Sequence, residues 1–349
     1  MTGLDIALVH RRYTEHGGTE RFVVGLARHL LSKGHEVHVY CNEIRDDLVD
    51  DGPRFHHLPM LRPAKVLSLY RSSAAVSGGG HQVVMGFGRT QGHQLFRCGG
   101  GAHAAYLEAC KPGWRLNPQA WIERDIDRRA VLSARRVISP SRSAADDLER
   151  FYGLDPARIR VLPNGVDSQR FRPDPKWRAQ RRAELGLDPE QPVLGFLGTG
   201  FERKGLAVAA EVAEELGLPL IVMGRDHRLE QWRSRFHRLH FVGAVHPETW
   251  LPAVEVMLLP TVYEPYGNAC LEAMACGVVP ITTPQNGVSE VFPVPGLTAT
   301  TPQGFVDATR AVLKDLPALS RMCVRAARAL PRERTYDAVE ALLIQEARA

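Results

Sequence analysis

Residues 254–283 read VEVMLLPTVYEPYGNACLEAMACGVVPITT. VEVMLL is a short apolar run stopped by Pro260, and GVVPITT is another that starts at Gly277. Between them, ACLEAMAC has helical character, so the stretch reads strand, bend, helix, strand. A strand that returns to its sheet through a helix is a parallel crossover unit. The bend itself is YEPYGN. Pro265 disfavours helix at Glu264, Gly267 permits an unusual backbone angle, and Asn268 is a natural N-cap. Glu264 is therefore placed on a loop and Glu272 on the first turns of the helix. Carboxylates accept from vicinal sugar hydroxyls, and the open N–H groups of Gly267, Asn268, Ala269 and Cys270 suit a phosphate or sugar oxygen.

Working outward, the same alternation runs from end to end. DIALVH, EVHVY, HQVVMGF, RRVISP and RIRVLP form one set of strand-like runs, and PVLGFLG, PLIVMG, LHFVG, VEVMLLP and GVVPITT form another. Longer amphipathic segments separate them, as in GTERFVVGLARHLLSKGHEVHVY, and this pattern predicts an α/β chain with two parallel sheets. The Pro, Gly and Asn-rich passage RVLPNGVDSQRFRPDPKW divides the sets. The expected organisation is a first domain over 1–163, a linker over 164–190, a second domain over 191–330, and a C-terminal helix over 331–349 able to pack back on the first domain. A length of 349 residues suits two domains.

Composition narrows the class. No run approaches the roughly 18 apolar residues of a membrane span. MTGLDIALVH enters a strand without a signal-peptide pattern, so a cytoplasmic location is expected. The six cysteines lack C-x-x-C spacing, which predicts reduced thiols rather than a zinc site or disulfide framework. Residues 1–173 hold 25 basic and 18 acidic side chains, while residues 174–349 hold 19 and 21. The basic half suits an anionic partner. Trp114, Arg115, Trp121, Arg124, Arg128, Arg129, Arg135 and Arg136 crowd one helical region, a pattern that fits an anionic membrane interface and equally a solvated helix.

In parallel sheets ligands bind beyond the carboxyl ends of the strands. After DIALVH come Gly17 and Gly18, ahead of a helix whose N-terminus can meet an anion, although a bare Gly-Gly is equally a simple turn. After PVLGFLG come Arg203 and Lys204, two cations at a helix start where acids are usual, an arrangement explained by a bound diphosphate. FRCGGGAHAAYLEA presents His103 behind three glycines. The D-x-D at Asp125-Ile126-Asp127 falls in an arginine-laced helix pattern and reads as a solvated face. No G-x-G-x-x-G follows the first strand, and no G-x-x-x-x-G-K-[ST] is present.

Together the E-x7-E in EPYGNACLEAMACGVVPITT, the RKG after GFLGTGFE, VISPSRSAADDL, PNGVD and the GGTE loop resemble a retaining glycosyltransferase of the family 4 type. The GGTER and GGGAHAAYLEA stretches are similar to the lipopolysaccharide-core glucosyltransferase I branch. The resemblance implies a GT-B fold, two Rossmann-like domains facing across a cleft, and transfer of a hexose from a nucleoside-diphosphate sugar with retention. It assigns donor diphosphate to Gly17, Gly18, Arg203 and Lys204, and ribose to Glu272. Backbone contacts to sugar and phosphate fall to Gly267, Asn268, Ala269 and Cys270, and the reacting centre to Glu264 and His103. It implies no metal and no cofactor beyond the nucleotide sugar. The implied partners are a saccharide or glycolipid acceptor and an anionic membrane surface, and not nucleic acid. A nucleotide-sugar epimerase of the same fold and a non-catalytic nucleotide-sugar-binding protein remain the alternatives.

Overall fold

The computed structural model describes residues 3–15, 17–49, 52–61, 64–236 and 238–349. The strands among the described residues are β1 (Asp5–Val9), β2 (Arg12–Tyr13), β3 (Glu36–Cys41), β4 (Glu43–Ile44), β5 (Arg54–His57), β6 (Val83–Phe87), β7 (Leu95–Arg97), β8 (Arg136–Ser139), β9 (Ile159–Val161), β10 (Leu194–Thr199), β11 (Leu220–Arg225), β12 (His240–Gly243), β13 (Val256–Leu259) and β14 (Val279–Thr282). The chain divides into two compact units, residues 1–163 with 333–349, and residues 164–332.

The first unit holds a seven-stranded sheet in the order β5-β3-β1-β6-β7-β8-β9, and β2 pairs with β4 beside it. Every pairing in the large sheet is parallel. The central strands are apolar on both faces because helices cover both. Ile6, Leu8, Val37 and Val39 pack with Phe22, Leu26 and Leu30 of the helix Gly18–Ser32. Ala7, Val9 and Val84 meet Leu69 and Val76 on the other side. The C-terminal helix Arg332–Ala347 contributes Tyr336, Val339 and Leu343 to the first of these cores. Its Glu340 accepts from or pairs with His29 and His35 at 3.2 and 3.1 Å.

The second unit holds a five-stranded parallel sheet in the order β12-β11-β10-β13-β14. In both sheets the order reverses beside the first strand of the unit, between β1 and β6 and between β10 and β13. Crossovers leave to opposite faces at that point, so the loops beyond those carboxyl ends diverge and leave a crevice.

Residues 164–190 differ from the expected linker, since they belong to the second unit and contain the helix Pro175–Glu184. Asp174 caps it, accepting from the N–H groups of Lys176 and Trp177, and Pro175 takes the first helical position. Arg182, 2% exposed, is then carried into the core against Glu255. The sequence is poor in periodic apolar residues here because the buried anchor is a charged one. All six cysteines are free thiols, and five are buried. Among the described residues no helix is long and apolar enough to cross a membrane.

Candidate functional site

In the second unit the site is assembled from the loops after β10 and β13. β10 ends at Thr199, and Gly200 takes a left-handed conformation to start the short helix Phe201–Lys204. Asp226, just after β11, accepts from the N–H of Phe201 at 2.7 Å and fixes that start. Gly205 then closes against the end of β13. A Cβ there would lie 2.1 Å from the Pro260 carbonyl oxygen, at a φ of +82°. This close approach brings Arg203 and Lys204 to Glu264. Arg203 Nη1 donates to the Tyr263 carbonyl at 2.8 Å and to Glu264 Oε2 at 3.1 Å. Lys204 Nζ donates to the same Oε2. The Lys204 stem lies over Gly198, where any side chain would collide with it.

Glu264 is fixed by its backbone as well. Its N–H donates to the Gln285 carbonyl at 3.2 Å, and its carbonyl accepts from Gly287 N–H at 3.0 Å. Burial favours the neutral acid, but Lys204 and Arg203 outweigh it and hold the carboxyl below its ordinary value. The group is ionised at neutral pH, so Arg203 and Lys204 share one facing carboxylate, while Glu202 of the same loop pairs with Arg228.

The bend places Gly267 in the left-handed region (φ 75°), with Asn286 Oδ1 where a Cβ would point. Asn286, fully buried, donates to Thr282 Oγ1 at 3.0 Å. The helix Asn268–Ala275 starts immediately after. Two expectations change here. Gly267, not Asn268, is the N-cap, and the Asn268 side chain accepts from Asn164 Nδ2 at 2.8 Å instead. The Cys270 N–H, expected to be open, donates to the Gly267 carbonyl at 3.0 Å. Asn268 and Ala269, at the first two helical positions, have no acceptor inside the helix for their N–H groups. Burial pushes the Cys270 thiol up to about 12, so it is no nucleophile. Glu272 lies on the same helix and is 7% exposed.

In the first unit Gly17, at a φ of 106°, is the N-cap of the helix Gly18–Ser32, and Glu20 folds over it so that a Cβ on Gly17 would meet its carboxylate. His103 opens the helix His103–Cys110. Asp127 Oδ2 accepts from the His103 N–H at 3.0 Å and from the Tyr152 hydroxyl at 2.6 Å. The two acids of the D-x-D thus separate. Asp125 is the solvated residue expected, paired with Arg129 four positions on, whereas Asp127 is buried. It is the helix face, not the arginine content, that decides. His103, Asp127, Arg89, His10, Phe87 and Tyr106 line one cavity of about 360 Å³. Burial, and then the Arg89 guanidinium, lower the His103 pKa from its ordinary value, so its ring is neutral at pH 7.

The sequence reading missed Asn286, Asp226, Arg89 and His10. Each lies within four residues of a strand end (β14, β11, β6 and β1), so a survey of every strand-end loop would have found them. What no local signal carries is which loops meet.

Comparison with known proteins places this geometry. The model for glycosyl transferases group 1 matches residues 191–315, and that for the glycosyl transferase 4-like domain matches residues 17–165. A probable transglycosylase of Burkholderia thailandensis is 31% identical over 278 residues, covering 77% of this chain and 74% of that protein. The chain belongs to the group 1 glycosyltransferases. This glycosyltransferase spans about half the length of the α-maltose-1-phosphate synthases and D-inositol 3-phosphate glycosyltransferases that it also matches. Among solved structures, WaaG, a glycosyltransferase involved in lipopolysaccharide biosynthesis, superposes with a TM-score of 0.80 over 97% of this chain and 99% of that one, at 19% identity. HepE of Anabaena, solved in complex with UDP, gives 0.78 over 98% and 100%, at 14% identity. At such identities the likeness is one of fold: the glycosyltransferase has the GT-B fold of two Rossmann-like α/β domains with parallel sheets.

Proposed function

We propose that this glycosyltransferase moves a hexose from a nucleoside-diphosphate sugar to a hydroxyl of a saccharide, glycolipid or small-molecule acceptor, with retention of configuration and no metal in the transfer step. The observation that carries the reading is the convergence of Arg203 and Lys204 on Glu264 at the reversal point of the second sheet. Departure of a nucleoside diphosphate leaves about two negative charges while the anomeric carbon becomes oxocarbenium-like. Arg203, Lys204 and the N–H groups of Asn268 and Ala269 are placed to stabilise that charge. As the cations turn to the diphosphate, the Glu264 carboxylate is released toward the sugar hydroxyls. Glu272 takes the ribose, and Gly17, Gly18 and the neutral His103 serve the diphosphate and donor sugar. The leaving phosphate accepts the acceptor's proton on the face it departs from, which gives retention without a protein nucleophile. The complex of HepE with UDP supports a nucleotide donor.

The product class that fits best is lipopolysaccharide or another cell-surface glycan, made on the inner face of the cytoplasmic membrane. WaaG's stated role supports this. So does the first unit's surface, where Leu116, Trp121 and Ile122 are 90%, 45% and 56% exposed and Arg115 and Arg124 flank the tryptophans. Trp114, by contrast, is a buried anchor for that segment. Pelleting with anionic liposomes at low salt and release at high salt is the expected behaviour, and no pelleting at low salt excludes it.

The deciding experiment is thermal unfolding with UDP, GDP, ADP and CMP, each with and without EDTA, on wild type and Glu272→Ala. A nucleotide at about 100 times its Kd adds roughly 2.7 kcal/mol. One diphosphate is expected to stabilise the wild type regardless of EDTA and to fail on the variant. Stabilisation by none, or only with metal, overturns the donor assignment. Acceptor-dependent release of nucleoside diphosphate then separates transfer from epimerisation or mere binding.

A further inference from the structure

The face of the first sheet that carries Ala7, Val9 and Val84 turns polar toward the amino-terminal ends of its strands. Register puts Asp5 beside Glu36, Ala7 beside His38, and Tyr40 beside His56 on neighbouring strands, so these side chains share that face. His81, just ahead of β6, joins them. His38 is 8% exposed, a costly position for an imidazole unless both ring nitrogens are used. They are used in one direction each. His38 Nδ1 meets His56 Nε2 at 2.7 Å, and His81 Nε2 meets the Tyr40 hydroxyl at 2.9 Å. The remaining nitrogens converge: His81 Nδ1 lies 2.6 Å and His38 Nε2 3.6 Å from Asp5 Oδ1, and the three ligand atoms all fall within 4.8 Å of one another. Glu36 Oε1 is 3.2 Å from the same His38 nitrogen.

We propose that Asp5, His38 and His81 bind a divalent zinc-class ion, with Glu36, now paired with Arg54, turning to complete a four-coordinate structural site. Tetrahedral zinc with bonds of about 2.0–2.1 Å sets its ligand atoms about 3.3 Å apart, so the 2.6 Å contact of His81 with Asp5 opens on binding and the 3.6 Å contact of His38 closes slightly. The outer contacts are those such a site requires. With the ion bound, Nδ1–H of His38 would donate to His56 and Nε2–H of His81 to Tyr40, which turns the lone pairs of the inner nitrogens to the ion. His56 and Tyr40 are themselves stacked, with ring centroids 4.4 Å apart, so the outer shell is rigid. Two carboxylates and two neutral imidazoles match the charge and the mixed nitrogen and oxygen preference of zinc. The site lies at the strand ends opposite to the substrate loops. It would tie β1, β3 and the approach to β6 together, and it does not depend on the proposed transfer reaction.

The test uses untagged, chelator-dialysed protein titrated with zinc chloride by calorimetry and followed by thermal unfolding. One equivalent is expected to bind and to raise the Tm. Asp5→Asn and His81→Gln should each weaken binding at least about tenfold. Glu340→Gln, which breaks the other group of converging ligands (His29, Asp337 and Glu340), should leave it unchanged. Absence of saturable binding, or binding that survives in both Asp5→Asn and His81→Gln, overturns the proposal. If those variants do not fold, the visible spectrum of the cobalt-loaded wild type decides, since intense tetrahedral bands support the site and their absence refutes it.

Discussion

Two arginine–glutamate clusters lie in the second unit, and they are built in opposite ways. Arg182 is 2% exposed, and its donors are matched one by one. Nε donates to the Ala253 carbonyl, Nη1 to those of Pro189 and Gln191, and Nη2 to both oxygens of Glu255. Glu255 also accepts from Val193 N–H and from Arg178. Arg203, with a side chain 29% exposed, makes its described side-chain contacts through Nη1 alone, and it shares one carboxylate oxygen with Lys204. Arg182 leaves none of its three nitrogens without an acceptor. The second has the same two cations to one carboxylate, but Arg203 leaves its Nε and Nη2 without a described contact. Saturation marks a structural clamp, whereas unspent donors on a partly exposed guanidinium at a loop fit the proposed diphosphate site.

Substitutions at the two clusters should therefore behave differently. Arg182→Ala strands Glu255 without its buried partner and should cost about 3–5 kcal/mol, measured by urea unfolding. A loss near zero would erase the distinction. Lys204→Met should lower turnover by about 10²–10³-fold, in line with removal of one charge-stabilising donor, while shifting the Tm far less than Arg182→Ala does. Equal stability losses with unchanged turnover would make the second cluster structural too. Gly267→Ala sharpens the same contrast. It places a Cβ against Asn286 at positive φ and should cost about 1–3 kcal/mol, with nucleotide binding lost alongside. The smallest effect is one of pH. The Glu264 carboxyl sits below its ordinary value of 4.5, so its ion cluster contributes fully above that pH and is lost as pH falls through the lower folded value. Glu264→Gln should lower stability slightly across the neutral range and lose the acid-dependent fall below about pH 4.5, so that the two curves converge at low pH.

Much of the candidate site was legible because it follows strand ends. Arg203, Lys204, Glu264 and Glu272 could be picked out from apolar runs ending in Gly and Pro, with no knowledge of any contact. Asp127 could not. Only the helix phase against Tyr152 and His103 separates it from Asp125, and arginines on the exposed side masked that phase. Arg182 was hidden for a related reason. Burial reads from sequence as apolar periodicity, and a fully satisfied guanidinium has none.

The sequence by itself determined the class of elements, the parallel sheets, the loops that carry chemistry and the residue types within them, since these rest on local periodicity and turn chemistry. The tertiary structure alone decided that β10 lies beside β13, and hence that Arg203 and Lys204 meet Glu264 rather than solvent. It also decided that Gly267 must leave room for Asn286, that residues 164–190 are anchored by Arg182, and that Asp5, His38 and His81 share one face. Each of these joins residues distant in sequence through strand order and register, and strand order is set by the packing of whole elements, which no single window of sequence contains.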